Sequence, residues 1–273
     1  MQPSILIGFA IGFGTLALTV LLESGGQVSA VLAFFNLPAL LIILGGLTGI
    51  LLIAFPPSQI REIVIALRKA FGGFRDIDQL EMSVQLLALA QRSRQEGILA
   101  LESVLPEVAD DWLRRSLQRV VDGLDRQMVQ DILAVEMEEY SRKVRTGARI
   151  LTSLGGFSPT LGIIGTVMGL VHMLASLQEA DKIGGAIAVA FMATFWGITI
   201  ANLVLLPLAE RVRFRDNELL ATRQAMVEGV LSIQAGEPVR IIEEKLMLFM
   251  DPDLQREFTE RQVASGGGRQ GAG

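Results

Sequence analysis

The chain has 273 residues, 51% of them hydrophobic, a mean hydropathy of +0.47 and no cysteine. Apolar content this high, gathered in four blocks, argues for an integral membrane protein over a large soluble core. The missing cysteines exclude disulfides and thiolate metal sites. The net charge is -5 and the charged side chains sit almost wholly in two segments, and with no basic run or recognition motif the chain is not read as binding nucleic acid.

Ser4 to Leu22 carries no charge and is the first membrane-span candidate, since a helix of roughly 20 residues crosses the hydrocarbon. It lacks a basic leader and a small-residue cleavage site, so it is read as retained. Gly8 and Gly12 stand four apart, a small-residue packing face in preference to an ion site. A turn at Glu23–Gln27 leads to a second uncharged block with its core at Leu37–Phe55, with Pro38 suited to the first helical turn and Gly45 and Gly49 repeating the small-residue spacing. Pro56 and Pro57 end it.

Residues 57–149 are different in kind. They are charged, with apolar residues at helical spacing, and predict helices at Ser58–Phe71, Asp78–Gln95, Asp110–Val121 and Asp125–Gly147. In the last of these Val129, Ile132, Leu133, Met137 and Tyr140 share one face. No strand pattern and no repeat is present.

Residues 150–209 hold two further spans. Ile150–Gln178 and Ile183–Ala209 contain no Asp, Glu, Lys or Arg. Glu210 to Ile233 is expected to continue the fourth span as a helix, and Pro238 to open another that runs through Met250. Residues 210–255 are therefore read as C-terminal helices and 256–273 as a disordered tail. Fourteen of the 24 Lys and Arg lie in 56–150 and nine after 210. The positive-inside rule then places the inserted domain and both termini in the cytoplasm. The expected fold is an all-α integral membrane protein, four transmembrane helices with a helical cytoplasmic domain inserted between the second and third.

The spans contain hydroxyls but no ionisable carboxylate, the group that usually marks a cation path through a bilayer. If the chain conducts ions, that carboxylate comes from a partner. Pro159, Gly162, Thr166 and Met173 fall on one helical face, and Ala190, Thr194, Gly197 and Ala201 on a comparable one. Two facing threonines offer oxygen ligands to a cation. The alternative is that each hydroxyl bonds its own i−4 carbonyl and serves packing alone. His172, the one histidine, is read as a hydrogen-bonded packing residue in preference to a proton relay, and Trp196 as packing. No nucleophile–base pair, metal-ligand cluster or phosphate loop supports an enzyme, and no cofactor is expected.

Ser158–Leu174, SPTLGIIGTVMGLVHML, resembles the third membrane helix of the bacterial flagellar stator subunits of the MotA and PomA family. Ala90–Ser103, Val120–Leu133 and Val230–Leu246 match the same family in order, over nearly the whole chain. The resemblance implies a pentamer of this chain around a dimer of MotB or PomB, which supplies the membrane Asp, with ion flow driving rotation against the rotor protein FliG in the inner membrane. It implies coupling roles for Pro159 and Pro207, an ion-pathway position at Thr166 and Thr194, and rotor-facing charges at Arg94, Glu102 and Glu136. Thr166 matches a position that is often Thr in sodium-driven members, so the transported ion is read as Na⁺ in preference to H⁺. The related TolQ and ExbB energisers, three-span proteins, are the alternative.

Overall fold

The computed structural model describes residues 3–71 and 78–266. All regular structure among them is helical. The chain divides into two compact units, Met1–Phe74 with Arg142–Asp216 and Arg75–Ser141 with Asn217–Gly273. The first unit thus keeps a charged helix, Pro57–Ala70, that sequence reasoning grouped with the inserted domain.

The first unit contains α1 (Pro3–Glu23), α2 (Val28–Ala33), α3 (Leu37–Ala54), α4 (Pro57–Ala70), the later part of α7 (Arg126–Ala175), α8 (Ala180–Thr199), a π-helical segment (Ile200–Leu205) and the start of α9 (Leu206–Gln234). Four stretches are long and apolar enough to span a bilayer: Ser4–Glu23, Val28–Ala54, Arg126–Ala175 and Ile183–Gln234. The protein is therefore an all-α, four-span membrane protein with a helical domain between the second and third spans.

Local chemistry sets the helix starts. Asn36 caps α3, its Oδ1 accepting from the Ala39 N–H at 3.1 Å, with Pro38 in the first turn as expected. Gly25 and Gly26 adopt φ of 65° and 88° in the turn after α1, a region open to glycine. The short α2 that follows was not expected.

Ile43 and Leu47 of α3 pack on Ile150 and Leu154 of α7. The close-approach glycine of α3 is Gly46, where a methyl group would lie 2.7 Å from Leu161 Cδ2. The expected pair, Gly45 and Gly49, meets nothing within 4 Å. At Gly147 a methyl group would lie 2.5 Å from the Glu62 carbonyl, so α4 rests on the α7 backbone. Lys69 Nζ lies 3.1 Å from Asp216 Oδ1, with the two side chains only 5% and 1% exposed, and Arg145 Nε reaches Asp216 Oδ2 at 3.4 Å. This ion pair, invisible in spacing, explains why α4 belongs with the spans.

The second unit contains α5 (Gln79–Glu96), 3₁₀ turns at Ile98–Ser103 and Leu105–Glu107, α6 (Asp111–Val121), the start of α7, the rest of α9, α10 (Val239–Met247) and α11 (Pro252–Gly266). Asp78 and Asp110 cap α5 and α6, accepting from Leu80 N–H at 2.9 Å and Leu113 N–H at 2.7 Å. Val129 and Leu133 are fully buried in its core and Met137 packs against it, as the helical spacing predicts. α10 ends at Met247, short of the expected Met250.

The expected disorder from residue 256 is corrected: α11 continues to Gly266, and Phe258 is fully buried in the core. One aromatic anchor outweighs the polar composition around it. Residues 267–273 of that expected tail lie outside the described residues.

Candidate ion-pathway site between α7 and α8

Small residues let α7 and α8 meet backbone to backbone. A methyl group at Gly162 would lie 3.0 Å from Thr194 Cα, one at Gly169 2.7 Å from Ala190 Cβ, and one at Gly197 2.8 Å from the Ser158 carbonyl. Gly165 likewise abuts Ala193. Ser158, fully buried, donates its hydroxyl to the Gly197 carbonyl at 2.8 Å. Close approach of this kind replaces the hydrophobic driving force that lipid removes. The two faces read from the sequence are thus brought together, and Gly162 is part of the contact, buried against Thr194.

The threonines meet within this seam. Thr166 Oγ1 hydrogen-bonds Thr194 Oγ1 across the two helices. Thr166 Oγ1 also lies 3.1 Å from the Gly162 carbonyl and 3.2 Å from the Ala190 carbonyl, while Thr194 Oγ1 lies 3.4 Å from the Gly162 carbonyl. Thr166 reaches its own i−4 carbonyl, as the packing alternative requires, and the two hydroxyls also face one another. Four oxygens share two hydroxyl protons, leaving a neutral, oxygen-rich cluster that is half-buried. Among the described residues no His, Asp and Glu cluster suits a metal ion.

Pro159 lies inside α7, where it has no N–H for the Gly155 carbonyl. Pro207 is exposed in the first turn of α9, directly after the π-helical segment. The helix continues past it, as the sequence predicts for Glu210–Ile233. The π segment had no sequence signature beyond the proline itself, and such segments cluster at functional places. Trp196 packs as expected, its Nε1 donating to the Phe34 carbonyl at 2.6 Å and its ring lying against Phe35 and Phe195.

His172 departs from expectation. Gly165 and Gly169 do receive a neighbouring helix, but His172 is exposed. Successive residues on a helix turn by about 100°, and the three positions from Gly169 carry His172 past the edge of the seam.

The charges assigned to the rotor face lie in the second unit. Arg94 near the end of α5 and Glu102 in the following 3₁₀ turn are both exposed. Glu136 is half-buried: it pairs with Arg119 and accepts from Trp112 Nε1 at 2.9 Å. Arg223 lies over the Trp112 and Tyr140 rings at 5.2 and 4.5 Å. Burial pulls the Arg223 pKa down, against the pull of Tyr140, Asp110 and Glu136. Farther along, hydrogen bonds to Glu228 and Glu237 raise Lys245, and the Lys245 hydrogen bond lowers Glu237.

Residues 105–225 match the MotA/TolQ/ExbB proton channel family. The chain is similar to Motility protein A of Bacillus subtilis, 32% identical over 98% of this chain and 97% of that protein. It is 28% identical to the chemotaxis protein PomA of Vibrio alginolyticus, over 92% of this chain and 96% of that one. Its fold matches the flagellar MotAB stator complex from Bacillus subtilis with a TM-score of 0.83 and 32% identity, covering 93% of this chain and 98% of that one. Fold and family match define a four-span helical protein of the MotA/TolQ/ExbB class. The chain belongs to the MotA and PomA family of motility proteins within it.

Proposed function

We propose that this chain is the ring-forming subunit of a bacterial flagellar stator, an inner-membrane protein with both termini and the inserted domain in the cytoplasm. Five copies surround a dimer of a MotB- or PomB-type partner, whose membrane Asp supplies the negative charge that balances the transported ion. The observation that carries the reading is a pairing of presence and absence. The α7–α8 seam holds an oxygen cluster at Thr166 and Thr194, while Ile150–Gln178 and Ile183–Ala209 contain no ionisable Asp, Glu, Lys or Arg. A cation path needs a charge, and a partner chain is the source that fits.

The ion is Na⁺ in preference to H⁺. Whole-chain identities of 32% and 28% to Motility protein A and PomA do not separate the two ions. The neutral hydroxyl pair favours sodium, because a hard cation takes oxygen ligands, and Gly162 forms the close contact that aligns the pair. Pro159 and Pro207 couple ion passage to helix movement. FliG is met by Arg94 and Glu102, exposed as contact charges must be, and by the Glu136–Arg119 pair, which presents a fixed acid–base patch. Such charges orient docking and are weakened by salt.

The test is ion uptake into vesicles holding this chain with and without its partner. Sodium entry only with the partner supports the reading; equal entry by the chain alone defeats it. Swimming speed against external Na⁺ at fixed pH decides the ion, and a flat curve withdraws sodium.

A further inference from the structure

A groove in the membrane unit runs along α1 beside the end of the fourth span. It has a volume of about 270 Å³, and its lining includes Ile5, Gly8, Gly12, Leu203, Pro207 and Arg211. Two glycines keep it open. A methyl group at Gly8 would meet nothing within 4 Å, and one at Gly12 would only touch Leu203 Cδ2 at 3.5 Å. From Ile5 to Phe13 helix α1 rises about 12 Å, so the groove has the reach of an acyl-chain segment and an apolar floor.

The groove has a polar end. The uncharged run of the fourth span stops at Ala209, so Arg211 stands where hydrocarbon gives way to headgroups. Its Nε donates to the Ala70 carbonyl at 3.0 Å and its Nη2 to Ser4 Oγ at 3.2 Å. These bonds fix the guanidinium beside the first turn of α1. The held guanidinium keeps a permanent positive charge at that place. A cation at headgroup level above an apolar trough between helices is the charge pattern that selects an anionic lipid.

We propose that this groove binds one anionic phospholipid of the phosphatidylglycerol class. The phosphate sits on Arg211 and the Ser4 hydroxyl, and an acyl chain lies over Gly8 and Gly12. Pro207 lines the same groove, so the lipid touches the proline that follows the π-helical segment. The proposal does not depend on ion conduction and is tested without it.

The full-length chain, purified in detergent, is offered equal amounts of dioleoyl phosphatidylglycerol and dioleoyl phosphatidylcholine, and retained lipid is read by native mass spectrometry. The expected result is a preference of about five-fold for phosphatidylglycerol, the size one surface guanidinium supplies. Gly8→Leu fills open space with a better helix former, and should abolish retention while helix content stays the same. Arg211→Gln should keep binding but lose the preference. Equal retention of the two lipids by the parent protein overturns the proposal, as does unchanged retention in Gly8→Leu. Displacement by inorganic phosphate as effective as by the lipid also overturns it. So does a Gly8→Leu protein that changes its subunit number but not its lipid, which would assign the groove to a second copy.

Discussion

Thr166 and Thr194 share a hydrogen bond between their hydroxyls, and both reach toward the Gly162 carbonyl, at 3.1 and 3.4 Å. Removing one hydroxyl takes away an oxygen without opening the seam. Thr166→Ala should therefore leave assembly intact and raise the Na⁺ needed for half-maximal swimming speed about five-fold, the equivalent of about 1 kcal/mol for one hydrogen-bonding group. Thr166→Ser should restore most of the response.

The seam itself has a sharper tolerance. Gly169→Ala would place a methyl group 2.9 Å from the Ala186 carbonyl, and overpacking of this kind costs about 1–3 kcal/mol. Gly156, one helix with it, has nothing within 4 Å, and Gly156→Ala should be neutral or stabilising by up to about 1 kcal/mol. The melting temperature of detergent-purified Gly169→Ala should fall, and that of Gly156→Ala should hold or rise.

Lys69 and Asp216 are buried together. Breaking such a pair from one side costs about 3–5 kcal/mol, because the remaining charge stays in a dry place. Asp216→Ala should sharply lower folded yield and thermal stability, and the double change Lys69→Met, Asp216→Leu should recover much of both. A double variant as poor as the single would show that the ion pair is not the cause.

The Lys245 cluster sets a pH window for the second unit. Lys245 is raised, first by Glu228 and then by Glu237, so its stabilising share is full below the unfolded lysine value of about 10.4 and is lost as pH climbs through the higher folded value. Glu237 is lowered, first by Lys245. Its share is full above about 4.3 and is lost as pH falls through the lower folded value. Stability at the α9–α10 corner should be flat between those limits. Hydrogen exchange of α10 against pH checks this, and Lys245→Met should flatten the acid-side loss.

Much of this architecture was legible. The uncharged runs mark the spans, and the spacing of Val129, Leu133 and Met137 finds the face that enters the core. The Thr166 and Thr194 faces were readable because both helices are regular where they meet. What escaped notice depends on distant partners. Lys69 reads as a surface lysine until Asp216 closes on it from 147 positions away. Gly46 and Gly45 look equivalent until Leu161 chooses one of them. Phe258 looks stranded in a polar tail until the core receives it. His172 shows the converse: a span histidine next to packing glycines still faces away from them.

The π-helical segment at Ile200–Leu205 also carries a consequence for phase. On an uninterrupted wheel the buried positions Ala186, Ala190, Ala193 and Gly197 point about 85° away from Leu208, Ala209, Val212 and Asp216. A π turn takes up about one surplus residue, or about 100° of rotation, and so brings both sets onto one side. The extra residue works as a spacer in angle. Excising one residue from Ile200–Leu205 should regularise the helix yet keep both buried stripes aligned, whereas inserting one should swing everything downstream out of its seat.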